Sequence, residues 1–450
     1  MAPTKFFRVA ACLAVSALIW TTGDSVADEA VTMKQTIDSA VAYNPTIKAF
    51  QEYRQAAEHD LRRARSGWFP RVDARAGWGM EQWSDSSTRS STYPQNNRDF
   101  YSRSEASLVV SQTIWDGLAT WYRTEVNQTR LDSAHSRLFD NAEALALDAL
   151  LAHIEIYRQR RIVTLAELNV QNHRSILRSQ MQRQQSGAST MADVTQTQSR
   201  LARTEASLAE SRAALEVAIA NYKRLTGVDV GPVAAPLPPE NAYASLEMAL
   251  ASSQSGNLKI KALESDAETA EFQTELDKSP FHPQIVFEMG PTYRYRTESA
   301  LTDAGGMSFM LRANWNLFDG FYDYYNVKGD KARARQARQE IVSQQDLIAE
   351  ETAATWAELI SAQEQAKFYG QSVQYATRTR DMYLDQFNMG ARSLLDVLDA
   401  ENEVFTSSIQ FVTAQQNVTA AKYRLLALGG EFLSTFEIDR NTLAIDTDPK

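Results

Sequence analysis

The sequence predicts an α+β membrane protein made of one unit written twice. Short motifs recur at a fixed spacing. Four segments alternate apolar and polar residues for about a dozen positions each, and residues 118–186 contain neither glycine nor proline.

The repeat comes first, because it organises everything else. Trp115-Asp116-Gly117 recurs as Phe318-Asp319-Gly320, 203 positions later. At the same spacing Gly187 matches Gly390, Asp193-Val194 matches Asp396-Val397, and Gly227 matches Gly430. Upstream, Trp68-Phe69-Pro70 matches Phe281-His282-Pro283 at a spacing of 213, so the first unit carries ten extra residues, placed in the Ser/Thr/Asn-rich segment 84–98. The expected organisation is a first repeat over 28–230, a Pro-rich linker over 231–244, a second repeat over 245–430 and a tail over 431–450. Each repeat reads as helix, strand, loop, strand, very long helix, tight break and shorter helix.

Residues 1–27 read as a secretory signal peptide: Lys5 and Arg8 precede an apolar run over 9–20, and Ser25-Val26-Ala27 is a small-x-small cleavage site. Cys12, the single cysteine of the 450 residues, lies inside that run, so neither a disulfide framework nor a thiolate metal site is available. The five histidines (His59, His135, His153, His173 and His282) show no metal-ligand spacing, and no cofactor is implied. A formal charge of −10 argues against nucleic acid as a partner. Past the first thirty residues nothing approaches the eighteen or so consecutive apolar residues of a membrane-spanning helix.

Strand alternation is explicit. Val72, Ala74, Ala76, Trp78 and Met80 alternate with Arg71, Asp73, Arg75 and Glu81; Ala106, Leu108, Val110 and Ile114 with Arg103, Glu105, Ser107 and Ser111. In the second unit Ile285, Phe287, Met289, Tyr293 and Tyr295 oppose Gln284, Glu288, Thr292 and Arg294. The last strand sets Met307, Phe309, Leu311, Ala313, Trp315 and Leu317 against Ser308, Arg312, Asn314 and Asn316. Globular strands average about five or six residues, whereas a tilted strand crossing a bilayer needs about ten, one face to lipid and one to water. A soluble sandwich would also alternate, but would need more turn signals than this sequence has.

The Gly/Pro-free stretch between Gly117 and Gly187 predicts about 67 helical residues, or about 100 Å of helix, and its copy between Gly320 and Gly390 is interrupted only by Gly329 and Gly370. Leu138, Ala142, Leu145, Ala149, Ala152 and Ile156 form a heptad-like, coiled-coil stripe suited to close helix packing. Four strands cannot close a barrel, since the smallest bacterial membrane barrels use about eight, and an open edge in lipid costs several kcal/mol per unpaired group. Several chains must therefore share one barrel continuing into a long helical bundle, which makes a duct. No nucleophile elbow, metal triad or phosphate loop indicates an enzyme.

With Trp115-Asp116-Gly117, Phe318-Asp319-Gly320 and the run Gly390-Ala391-Arg392-Ser393-Leu394-Leu395-Asp396-Val397-Leu398-Asp399-Ala400-Glu401-Asn402 in view, the chain resembles the TolC family of outer-membrane exit ducts, and most of all its type I secretion branch. The resemblance covers essentially the whole mature chain. It implies a homotrimer with a twelve-stranded β-barrel in outer-membrane lipid and a twelve-helix periplasmic tunnel. It also implies an equatorial layer near 228–245 and 430–450, a periplasmic adaptor, and an inner-membrane ABC transporter or another pump. The implied function is passive conduction of protein cargo from a periplasmic entrance to the cell exterior. The exit duct of a drug or metal efflux pump stands as the alternative, and a soluble periplasmic coiled-coil adaptor as a third reading.

By motif position the resemblance places Asp193, Phe387, Arg392, Asp396 and Asp399 at the periplasmic entrance, with Gly187 and Gly390 in the tip turns. Asp193 and Asp396 also read as helix-start aspartates, whereas Asp399, a turn further in, is the better candidate for the lumen. Phe387 stands where the family has a tyrosine, and Ala192 where it has a threonine. The entrance is therefore expected to rest chiefly on Arg392 with Asp193, or to be held only weakly. Asp116 and Asp319, each followed by glycine (Gly117, Gly320), read as turn and helix-start residues without a transport role.

Overall fold

The structure, a computed structural model, describes residues 30–82, 100–297 and 303–438. The signal peptide expected at 1–27, the insertion at 84–98 and the tail beyond 438 lie outside the described residues. The chain runs α1 (Met33–Tyr43), α2 (Pro45–Arg65), β1 (Arg71–Glu81), β2 (Tyr101–Trp115), α3 (Ala119–Gln185), α4 (Met191–Thr226), α5 (Leu246–Gly256), α6 (Leu258–Leu276), β3 (Gln284–Tyr295), β4 (Asp303–Asn314), α7 (Tyr322–Asn388), α8 (Leu394–Leu428) and α9 (Phe432–Thr435).

The single helix expected to open each unit is two helices. Asn44 ends α1 and caps α2, with Pro45 in the first turn; proline forces the residue before it out of the helical region. In the second repeat Asn257 ends α5 and caps α6, accepting from the Lys259 and Ile260 amides at 3.1 and 3.2 Å. Both asparagines do a second job. Asn44 Nδ2 donates to the Leu225 carbonyl at 3.4 Å, and Asn257 Nδ2 to the Leu428 carbonyl at 3.0 Å. Thus α2 begins where α4 stops, α6 begins where α8 stops, and the long helices α3 and α7 run beside these stacked pairs.

The strands form one antiparallel sheet in the order β1-β2-β3-β4. Its centre is the β2–β3 pairing, which joins the two repeats, with one register shift between Thr113 and Trp115. Register puts Val72 opposite Val110, Ala74 opposite Leu108, Val110 opposite Met289 and Met289 opposite Phe309, so one face is continuously apolar. The other face is laced by charge pairs: Arg71–Asp73, Arg103–Glu81 and Arg103–Glu105, and Arg312–Glu288, at 2.6–2.9 Å. Among the described residues the substantial contacts of the sheet are strand to strand, with no second layer. Trp78, Met80, Phe309 and Leu311 are exposed, Trp78 to 82%. A sandwich would bury that face. β4 stops at Asn314, before the expected Trp315 and Leu317, because its partner β3 begins just after Pro283, which has no N–H to continue the ladder. Trp315 instead donates its indole N–H to the Phe281 carbonyl at 3.2 Å.

Both long helices contain 67 residues, about 100 Å each. Gly329 and Gly370 do not interrupt α7, because packing along its length outweighs the ~1 kcal/mol each glycine costs. The stripe from Leu138 to Ile156 is buried, and it packs with Ile37, Ile47, Tyr222, Leu426, Phe432 and Leu433 into a core at mid-length of α3. Here the chain around Val233 lies against the residue that leads into α1: Val31 pairs in parallel with Val233, through Val31 N–H to the Pro232 carbonyl at 2.8 Å and Ala234 N–H to the Val31 carbonyl at 2.9 Å. The buried Glu143 carboxylate accepts the Leu433 amide at 3.1 Å and so docks α9 on the same core. No helix among the described residues is long and apolar enough to cross a membrane.

Candidate functional site at the helical tips

Two tight turns lie one long helix away from the sheet. α3 ends through Gly187 and α7 through Gly390, both with φ +79°. After each glycine an alanine amide reaches back to the helix, Ala188 to the Arg183 carbonyl at 2.8 Å and Ala391 to the Gln386 carbonyl at 2.9 Å. These are glycine-terminated helix ends, which any Cβ would strain.

The next helices start with side-chain caps. Thr190 and Asp193 form a capping box: Thr190 Oγ1 accepts from the Asp193 amide, and Asp193 Oδ2 accepts from Thr190 N–H at 3.0 Å, Thr190 Oγ1 at 2.8 Å and Ser189 Oγ at 3.0 Å. The backbone bond from Thr190, then its hydroxyl and that of Ser189, hold the Asp193 carboxyl below the ordinary range. All three donors are local, so Asp193 is the helix-start aspartate, and Arg392 does not pair with it. The equivalent Asp396 accepts from Ser393 Oγ at 2.8 Å.

Arg392 turns instead to its own hairpin. Its Nε lies 3.4 Å from Asp396 Oδ2, an ion pair without hydrogen-bond geometry, and its guanidinium carbon sits 3.9 Å from the Tyr383 ring centroid. The i,i+4 spacing puts Arg392 and Asp396 on one side of the turn. Asp399 joins the other hairpin: Arg200 Nη2 of α4 donates to its Oδ1 at 3.1 Å. Phe387 is 8% exposed and packs with Ile176, Leu394, Val397 and Leu398. The guanidinium carbon of Arg183 in α3 lies 4.6 Å from that ring, and its Nη1 donates to the Phe387 carbonyl at 3.2 Å. The structure therefore gathers Arg392 with Asp396, and Phe387 and Asp399 with arginines of the first hairpin, and leaves Asp193 apart. Sequence reasoning missed Arg183, Tyr383 and Arg200. No linear motif marks them; only the pairing of the hairpins brings them in.

At the opposite end the strand-to-helix junctions repeat each other. Gly117-Leu118 and Gly320-Phe321 are consecutive left-handed residues, with φ 65°, 69°, 74° and 70°. Asp116 Oδ2 accepts from Thr120 N–H at 2.9 Å, and Asp319 from the Tyr322 and Asp323 amides at 3.1 and 2.7 Å. Both aspartates occupy donors that a helix start leaves open. Backbone bonds, that from Asp323 foremost, hold the Asp319 carboxyl below the ordinary range. Among the described residues no group of His, Cys, Asp or Glu could hold a metal ion.

The pattern described as outer membrane efflux protein matches residues 36–228 and 249–431, one segment in each repeat. The outer membrane efflux protein BepC of Brucella suis biovar 1 (strain 1330) is 24% identical over 340 residues, 74% of this chain and 73% of that one. Among solved structures, the outer membrane protein VceC of Vibrio cholerae superposes with a TM-score of 0.76 at 17% identity, over 89% of this chain and 96% of that one. A membrane protein from Pseudomonas aeruginosa does so with a TM-score of 0.78 at 17% identity, over 95% and 97%. The lone sheet with its exposed apolar face lies in the bacterial outer membrane, and the helices descend from it into the periplasm. By the match across both of its repeats, the chain belongs to the outer membrane efflux protein family.

Proposed function

We propose that three copies of this chain close a twelve-stranded barrel and a helical tunnel, and that the duct passes protein cargo in type I secretion. The observation that carries the trimer is the open sheet: β1 and β4 have one neighbour each within the chain, and bare strand edges in lipid cost several kcal/mol per group. Twelve strands remove those edges and turn the charge-laced face to the lumen. The tips then form the periplasmic entrance, where Arg392, Asp396, Asp399 and Phe387 act and where an adaptor and an inner-membrane ABC transporter deliver cargo. Support for protein cargo comes from the Gly390-to-Asn402 run, which resembles the secretion branch. The name of the BepC relative, an efflux protein, favours small-molecule efflux as a second reading.

Deleting the gene and complementing it separates the two. Loss of a secreted protein from the medium, with unchanged susceptibility to drugs and metals, is the expected result; raised susceptibility with an unchanged secretome transfers the duct to efflux. Light scattering on the detergent-solubilised protein tests the trimer, and a monomer would overturn the shared barrel.

A further inference from the structure

Below the β3–β4 hairpin the chain forms two legs, α6 leading up to β3 and α7 leading down from β4. Two carboxyl groups meet between them. Asp330 of α7 is 4% exposed. Its Oδ1 accepts from the Arg333 guanidinium, while its Oδ2 is sealed from solvent and receives no hydrogen bond. Its neighbour is Asp277, the residue that ends α6. Both Asp277 oxygens are already occupied, Oδ1 by Gln273 Nε2 at 2.9 Å and Oδ2 by Asn326 Nδ2 at 2.6 Å.

Two ionised carboxylates do not share such a place. A buried charged oxygen without a donor costs several kcal/mol, and an adjacent like charge adds to that. A proton on Asp330 Oδ2 resolves both problems, because it turns the bare acceptor into a donor, and each carboxylate oxygen of Asp277 has a second lone pair to receive it. Burial first, and then the hydrogen bond with Asp277, hold the Asp330 carboxyl above the ordinary range against the opposing pull of Arg333. The remaining charges nearby are of both signs, and the cations among them are engaged elsewhere. On α7 Asp323 lies close to both Asp319 and Asp277, and Lys328 stacks on Tyr324. Just past the end of α6, Lys278 is engaged by Glu275 of that helix at 2.5 Å. α3, packed along α6, meets it through Thr129–Thr269 and through Ser133 and Arg137 with Asp266.

We propose that Asp277 and Asp330 form a proton-binding site, one proton held on Asp330 Oδ2 and donated to Asp277, which fastens α6 to α7 beneath the β3–β4 hairpin and lets go when that proton is lost. The duplication supplies its own comparison. At the equivalent positions of the first repeat stand Ala64 and Asn127, both buried, so α2 and α3 pack there without a titrating pair. The folded-state carboxyl titrates above its unfolded value. Its contribution is complete below about pH 3.9 and is lost as pH rises through the folded pKa.

The test uses full-length protein in detergent, followed by thermal unfolding and by infrared spectroscopy of the carboxyl C=O stretch across pH. Wild type should show a protonated-carboxyl band that disappears on alkalinisation, together with a drop in melting temperature. Asp330→Asn keeps a donor toward Asp277 but cannot titrate, so the band and its share of the alkaline drop should both vanish. The double variant Asp277→Ala, Asp330→Asn installs the residues of the first repeat and should behave likewise, which covers failure of the single variant to fold. A band that persists in these variants, or an alkaline drop identical to wild type in both, overturns the proposal.

Discussion

Arg200 of α4 and Asp399 of α8 meet at 3.1 Å across the two hairpins, and the pair changes the electrical character of the tip. From sequence, Asp396 reads as an entrance and helix-start aspartate and Asp399, one turn further in, as the candidate for the lumen. Neither has a partner of its own in that reading; the pairing expected nearby is Arg392 with Asp193. In the folded chain each has an arginine within 3.5 Å. Paired charges of opposite sign act at a distance as dipoles, so the field a cation meets there is weaker than bare carboxylates would give.

In the proposed trimer, removing the arginine should therefore sharpen the site. Arg200→Ala should tighten block of single channels by a trivalent cation by roughly fivefold, the equivalent of about 1 kcal/mol for a half-exposed pair. Adding Asp399→Ala should reverse the gain. Block that ignores both changes would put Asp399 outside the conducting path.

The contacts of Phe387 set the order of a second pair of variants. Phe387→Ala removes a buried ring from the tip core and the platform beneath Arg183, a loss of about 3 kcal/mol or more for a fully packed ring. Arg392→Ala removes a half-exposed ion pair and a stacking contact with Tyr383, about 1 kcal/mol. Phe387→Ala should thus open the tips more, read as faster limited proteolysis at Arg183 and Arg392 and a higher conductance. The reverse order would mean that Arg392 makes contacts between chains that outweigh its contacts within one.

The pair also shows where sequence reasoning stops. The 67-residue helices are legible because their ends carry glycines and their interiors lack proline. The strands are legible because a face toward lipid and a face toward water impose strict alternation. The Asn44-Pro45 break is a readable signal too, though alternation and helix length alone pass over it. The tip is harder. Arg392 and Asp193 are plausible partners in one dimension, but Asp193 is consumed by its own cap and Arg392 by a residue four positions on. Arg183 and Arg200 acquire meaning only once α3 and α4 lie against α7 and α8.

Two glycines separate steric necessity from backbone preference. A Cβ on Gly290 would lie 1.8 Å from the Leu108 carbonyl oxygen, inside the β2–β3 seam that joins the repeats. A Cβ on Gly390 would touch nothing, and only its φ of +79° resists, at about 1–2 kcal/mol. Gly290→Ala should abolish assembled protein in the outer-membrane fraction, whereas Gly390→Ala should assemble and lose heat resistance. Comparable levels of both assembled variants would refute the tight approach at Gly290.

The last prediction concerns acid. His153 is fully buried at mid-length of α3, with Nε2 donating to the Ala234 carbonyl at 3.0 Å and Nδ1 2.9 Å from Thr36 Oγ1. Thr36 Oγ1 also lies 3.1 Å from the Tyr222 hydroxyl and donates to the Thr32 carbonyl at 3.1 Å, so burial rather than the bonding pattern favours the neutral imidazole. Burial lowers the His153 pKa; the Ala234 carbonyl opposes this and Arg160 adds to it. The folded state therefore disfavours the charged ring, so the stabilisation is full above the unfolded pKa of about 6.5 and falls away below it, by up to about 1.4 kcal/mol per pH unit until the folded pKa is reached. Ala234 belongs to the segment that pairs with Val31 just ahead of α1, so a charge buried at His153 would load that junction. Melting temperature should fall between about pH 7 and pH 5, with faster proteolysis within 231–244 at the acid end. His153→Gln keeps a donor for Ala234 without a titrating ring and should flatten that acid slope while lowering stability at neutral pH. If wild type and His153→Gln decline in parallel, the acid sensitivity lies elsewhere, and the His153 chain is only packing.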